Sequence, residues 1–165
     1  MILHHVSVGA ADVERSGRFY DAVLGTLGYK RFWEIMPYAI CYGENGYDFW
    51  VQTPSNGEPA SAGNGVHVAF AAKTRKAVDK FYAAALAHGG ADEGPPGLRP
   101  EYDADYYGAF VRDPDGNKIE AVCYGVTAAV SSKPKAKAKK ASAKKAAKKT
   151  AKKPARKAKK KARKK

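Results

Sequence analysis

The sequence predicts an α+β fold made of two βαβββ modules that form a curved mixed-sheet cavity, and three observations predict it. The first is an internal repeat. Sliding the chain against itself by 62 positions aligns His5 with His67, Phe19-Tyr20 with Phe81-Tyr82, Leu24 with Leu86 and Gly28 with Gly90. A shift of 70, after a longer loop in the second half, aligns Ala39 with Ala109 and Gly46 with Gly116. The second observation is that each half opens on a short alternating segment, the signature of a strand with one buried face. The third is that each alternating segment is followed by apolar residues at helical spacing.

The elements follow in order. In His4–Val8, period 2 puts Val6 and Val8 on one face and His5 and Ser7 on the other. In Val66–Phe70, Val66, Val68 and Phe70 share a face, with His67 and Ala69 opposite. Both halves therefore offer an apolar face to a helix and turn one histidine the other way. In the first helix Phe19, Tyr20, Val23, Leu24 and Leu27 form a stripe, with Asp12 as N-cap and Gly28 as stop. The second repeats this with Val78, Phe81, Tyr82 and Leu86, between Thr74 and Gly89-Gly90. Three extended segments complete each half. The clearest are Ala39–Tyr42 turning at residues 43–46 into Asp48–Gln52, and Ala109–Arg112 turning at Asp113-Pro114-Asp115-Gly116 into Lys118–Tyr124. The modules run over about residues 1–55 and 65–126, joined by the Pro/Ser/Asn/Gly-rich stretch Pro54–Gly65.

Composition divides the chain at Ser131. Residues 131–165 hold 19 of the 30 Lys/Arg and no acid, leaving 11 basic against 16 acidic residues before them, a net −5. The net charge of +14 belongs to the tail alone. The first 130 residues are enough to bury a core without a disulfide or a structural metal. Cys41 and Cys123 are isolated, and neither a secretory signal nor a membrane-spanning stretch is evident. A cytoplasmic protein with two small buried thiols is the expectation.

The opening His5-Val-Ser-Val-Gly-Ala-Ala-Asp-Val-Glu-Arg-Ser, the Phe19-Tyr20 pair, the repeated module and the closing Asp113-Pro-Asp-Gly-Asn-Lys-Ile-Glu120 together resemble the vicinal-oxygen-chelate superfamily, the glyoxalase/bleomycin resistance protein/dioxygenase group. The resemblance spans roughly residues 2–126. It implies the fold strongly and the reaction weakly, because the superfamily hosts lyases, epimerases, dioxygenases, thiol transferases and drug-binding proteins. It also implies metal-ligand positions at His5, Trp50, His67 and Glu120, of which the tryptophan cannot bind a metal. His5, His67 and Glu120 would suit one divalent ion, Fe, Mn, Zn or Ni, open to a substrate that chelates through neighbouring oxygens. The loss of a ligand at Trp50 argues against the glyoxalase I and epimerase activities. Ser7 brings the pattern nearer to the fosfomycin-resistance thiol transferases, although no cluster of cations for a phosphonate is evident in the second half.

The substrate pocket is expected to include Ser7, Trp50 on its floor, and Arg99, Tyr102 and Tyr107 from the Pro/Gly/Tyr-rich stretch Gly94–Tyr107, which otherwise reads as a rigid surface loop. No catalytic residue is assigned. His4 falls on the opposite face from His5, and His88 sits at a helix end where the dipole favours an imidazole. Two function classes stay open for the domain: a metal-dependent enzyme acting on a small oxygen-chelating metabolite or xenobiotic, and a metal-free small-molecule (antibiotic) binding protein. A homodimer is one way such cavities are completed.

The tail is Lys/Ala/Pro low complexity and resembles the C-terminal tails of linker histones and of bacterial histone-like proteins. It cannot bury apolar surface, and its charges repel, so disorder is expected. Lys139, Lys140, Lys144, Lys145, Lys148, Lys149, Lys152 and Lys153 are the expected contacts to nucleic-acid phosphates, without sequence preference and with association to the nucleoid as a consequence. A third reading makes this tail the primary functional element.

Overall fold

The structure is a computed structural model that describes residues 3–44 and 46–125. The basic tail, with all eight expected phosphate contacts, lies outside the described residues. Among the described residues ten elements run β1 (Val6–Gly9), α1 (Val13–Gly25), β2 (Lys30–Ile35), β3 (Ala39–Gly43), β4 (Phe49–Gln52), β5 (His67–Ala71), α2 (Arg75–Ala87), β6 (Ala91–Leu98), β7 (Tyr106–Arg112) and β8 (Lys118–Tyr124). This is βαβββ twice. The first module forms a sheet of order β1-β4-β3-β2 and the second a sheet of order β5-β8-β7-β6. In each, the opening strand lies parallel to the closing one and the remaining pairs are antiparallel.

Both helices begin where the sequence places their caps. Asp12 accepts from the Arg15 amide at 2.9 Å, and Thr74 accepts from the Ala77 amide at 3.1 Å. Both end a little before their glycines. Thr26 and His88 close them, and Gly28 and Gly89 follow at φ +93°, where a side chain would be strained. His88 Nδ1 donates to the Ala84 carbonyl at 2.8 Å and so satisfies one of the orphan carbonyls of α2.

The helix-facing residues of the two modules merge into one core. Phe19, Tyr20, Val23 and Leu24 of α1 share it with Val78, Phe81 and Ala85 of α2 and with Ile40, Val51, Val111, Ile119 and Ala121 from the sheets. The modules meet through α1 against α2 and through Phe49 and Phe70, whose rings touch edge to face at 5.0 Å. Each buried aromatic of this set contributes about 1.5–3 kcal/mol through removal from water. Cys41 and Cys123 are both buried and unpaired by disulfide. No helix among the described residues is long and apolar enough to cross a membrane.

Two details differ from the sequence reading. The stretch Gly94–Tyr107 is half strand: it begins inside β6, an edge strand interrupted by register shifts around Gly94–Gly97, and an edge tolerates Pro95 and Pro96 because their missing N–H groups need no partner. Only Arg99–Asp105 is loop. The equivalence of Ala39 with Ala109 is also off by one. Ile40 pairs with Val51, and Ala109 pairs with Ala121, so Ile40 and Ala109 occupy matching places.

Candidate functional site

Strand alternation builds the site. With Val68, Phe70, Ile119 and Ala121 committed to the helix side, His67, Ala69, Lys118 and Glu120 project from the other, open face of the second sheet. Glu120 sits mid-strand between Ala69 of β5 and Phe110 of β7, and its side chain is fully buried. His67 Nε2 donates to Glu120 Oε2 at 2.7 Å, and the Tyr106 hydroxyl donates to Glu120 Oε1 in a very short hydrogen bond. Burial, then the hydrogen bond to Glu120 and the charge of that carboxylate, push the Tyr106 phenol well above its ordinary range.

Room for this carboxylate exists because its neighbours are small. A Cβ at Gly108 would stand 2.7 Å from Glu120 Oε1 and 3.0 Å from the Tyr106 ring. Phe110 closes the other side, with the His67 ring 5.9 Å away and with Arg99 and Lys118 over its face at 5.6 and 5.3 Å. A buried carboxylate is costly unless its oxygens are engaged, and here both are. Tyr102 stacks edge-on against Tyr106 at 5.1 Å and extends the aromatic rim.

The first module presents a different open face. Register aligns Ser7, Trp50, Cys41 and Trp33 across the sheet. Trp50 occupies the place that Glu120 holds in the second module and is packed by Tyr47, stacked at 5.8 Å, and Trp33 at 5.7 Å. Ser7 is exposed on this face. His5, just ahead of β1, is exposed, and its Nδ1 lies 2.9 Å from Nδ1 of His4.

The chain thus brings together two of the three expected metal ligands, His67 and Glu120. Among the described residues no three His, Cys, Asp or Glu side chains converge on one point, and His5 does not join the pair. An imidazole and a carboxylate are suitable donors for a borderline divalent ion, but two fall short of the three a bound ion would need. Within one chain, the residues fit a metal incompletely.

Tyr107 requires a correction. The sequence places it in the pocket, whereas it faces the helix side, where its hydroxyl donates to Asp79 of α2 at 2.8 Å and Arg75 lies over its ring. The neighbouring Tyr106 takes the open-face place. The sequence reading started this strand at Ala109. Started three residues earlier, alternation alone would have put Tyr106, Gly108 and Phe110 on the face of Glu120. Arg99 is on the open face, with Nη2 donating to the Pro95 carbonyl at 2.7 Å. A separate apolar cavity of about 230 Å³ lies between the modules, lined by Leu24, Tyr29, Phe49, Val68 and Phe70. It contains neither His67 nor Glu120.

The family model described as Glyoxalase/Bleomycin resistance protein/Dioxygenase superfamily matches residues 2–121. A crystal structure of a glyoxalase/bleomycin resistance protein from Albidiferax ferrireducens T118 is 42% identical, with a TM-score of 0.69 over 74% of this chain and 99% of that one. A glyoxalase-related enzyme from Fulvimarina pelagi (22% identical, TM-score 0.59, 74% of this chain and 88% of that one) shares the fold. So does a lactoylglutathione lyase from Agrobacterium tumefaciens (20% identical, TM-score 0.54, 74% and 92%). No curated protein matches the sequence. The matched model, the repeated βαβββ module and the 42% identical neighbour agree: this chain belongs to the glyoxalase/bleomycin resistance protein/dioxygenase superfamily.

Proposed function

We propose that the chain acts on a small oxygen-chelating metabolite or xenobiotic at a divalent ion held by His67 and Glu120, with His5 of a second copy as the third ligand. The observation that carries this reading is the fully buried Glu120 carboxylate, set beside His67 in a space that Gly108 keeps open. An ion there would supply Lewis-acid polarisation of a substrate oxygen. The chain's own groups have defined tasks around it. Tyr106 holds its proton firmly beside Glu120 Oε1, so it serves as a hydrogen-bond donor rather than a base. Phe110, Tyr102 and the Arg99 guanidinium form an apolar and cationic wall for the substrate, and Ser7 and Trp50 would line the facing side in the paired assembly.

The homodimer is part of the proposal, since one chain does not bring His5 to the pair. The test is metal analysis of untagged full-length protein, alone and with variants. About one ion per chain is expected, lost in His5→Ala and in His67→Ala, and partly restored when those two variants are mixed. Such complementation requires ligands from two chains.

A second reading is favoured by a specific observation: both Glu120 oxygens accept hydrogen bonds from side chains of the same chain, His67 and Tyr106. In that reading the same face binds a drug or metabolite without chemistry, and metal-free protein retains full ligand affinity. Independently, the basic tail of residues 131–165 would hold the protein on nucleic acid by backbone electrostatics alone, which goes with a cytoplasmic, nucleoid-associated location.

A further inference from the structure

We propose that the second sheet carries an oxyanion subsite beside the His67–Glu120 pair, which takes a carboxylate or phosphate group of the ligand. This deepens the proposed function and rests on reading this sheet face as the binding face. Register sets three nitrogen-bearing side chains in one row across the sheet: His67 of β5 opposite Lys118 of β8, and Lys118 opposite Arg112 of β7. The row forms one wall of a polar cavity of about 570 Å³, and the linker residues Ala62–Val66 form the other. The cations are reachable, because the Lys118 and Arg112 side chains are 31% and 40% exposed.

Charge in the cavity is not balanced. Glu93 of β6 faces both cations, 2.6 Å from Arg112 Nε and 3.7 Å from Lys118 Nζ. Arg112 Nη1 donates to the Gly116 carbonyl at 2.8 Å, which fixes the guanidinium plane. Glu93 is the carboxylate paired with Arg112 and Lys118, while Glu120 is engaged by His67 and Tyr106, so the two cations carry one positive charge more than the carboxylate they share. An incoming oxyanion exchanges with Glu93 for the same donors, and the planar guanidinium and the ammonium are the groups suited to hold it. The cation cluster absent from the linear sequence of the second half is assembled by strand pairing.

The test uses the full-length chain, titrated in parallel with inorganic phosphate and with acetate. The readout is the imidazole C2–H resonance of His67, assigned by its absence in His67→Gln. Anion binding to the lysine tail is separated by the double variant below, which leaves the tail unchanged. A saturable shift with at least one anion is expected, and the tighter of the two names the group. The double variant Arg112→Gln/Lys118→Gln should weaken it by about tenfold or more, the loss of charge-assisted hydrogen bonds. Glu93→Gln should tighten it, a gain that misfolding cannot imitate. No saturable shift with either anion, or equal affinity in the double variant, would overturn the subsite. So would loss of the shift in chelator-treated protein, which would make the anion a ligand of the ion. Metal content measured on the same samples separates the two proposals: anion response without metal fails only the metal reading, and metal without anion response fails only the subsite.

Discussion

Ser16 of α1 donates its hydroxyl to Asp115 Oδ2 at 2.5 Å, so a residue at the β7–β8 turn is bonded to the helix of the other module. The Ala11 amide donates to Asp115 Oδ1 at 3.1 Å, and the Arg15 guanidinium pairs with the same oxygen. Behind it, Asp113 Oδ1 accepts from the amides of Asp115 and Asn117, and Oδ2 accepts from Tyr20 and the Asn117 side chain. The Asp113-Pro-Asp-Gly-Asn run is thus the clasp between modules. Asp115→Ala removes the acceptor of Ser16, Ala11 and Arg15 and should cost about 1–3 kcal/mol, the range for a lost hydrogen bond to a charged group. Asp113→Ala strands several buried donors and should cost about 3 kcal/mol or more. Urea denaturation at neutral pH measures both, and equal, negligible losses would show that the clasp holds nothing.

Alkaline stability should depend on two tyrosines. Burial first, then nearby carboxylates (Asp113 for Tyr20, Asp21 for Tyr42), raise both phenols above the ordinary value of 10. In the unfolded chain they ionise near 10. The stability they contribute is therefore complete below pH 10 and is lost as pH rises beyond it toward the folded values. Each retained proton steepens the loss by about 1.4 kcal/mol per pH unit. Denaturation midpoints between pH 9 and 11 should fall steeply in the native sequence and less so in Tyr20→Phe and Tyr42→Phe.

Gly108→Ala tests the space around Glu120. Its methyl would stand within 2.7 Å of Glu120 Oε1, so the carboxylate or Tyr106 must move. Overpacking of this kind costs about 1–3 kcal/mol, and metal content should fall along with stability. Retained metal at full occupancy would place the ion elsewhere.

Glu120→Gln keeps the volume and removes the charge. Metal should be lost, while the fold survives, because the glutamine can still accept from Tyr106. Metal analysis with a thermal unfolding curve on the same sample checks both halves. His4→Ala and His88→Ala serve as controls that retain the ion.

The tail should bind duplex DNA without sequence preference. If about eight phosphates are neutralised, log K should fall against log salt with a slope of roughly −7. Deletion of residues 131–165 leaves a chain of net charge −5 and should abolish binding. Salt-insensitive binding to two unrelated duplexes, or binding that survives the deletion, would move recognition into the folded domain.

The sequence by itself determined the architecture. Period 2 at His67–Phe70, the Asp12 and Thr74 caps and the 62-residue repeat are local or nearly local properties, and local properties are written directly in residue order. The family resemblance, and no periodicity, implies His67 and Glu120 as members of one ligand set; the fold sets them 2.7 Å apart across 53 positions. What only the tertiary structure decided depends on register. Whether Tyr106 or Tyr107 reaches Glu120 turns on a single-residue choice of strand start, and a one-residue slip exchanges the two faces. The row of His67, Lys118 and Arg112 joins three strands, and the Asp115 clasp joins residues 99 positions apart. The isolation of His5 from the pair follows from how two modules pack, through their helices, and no periodicity along the chain encodes that.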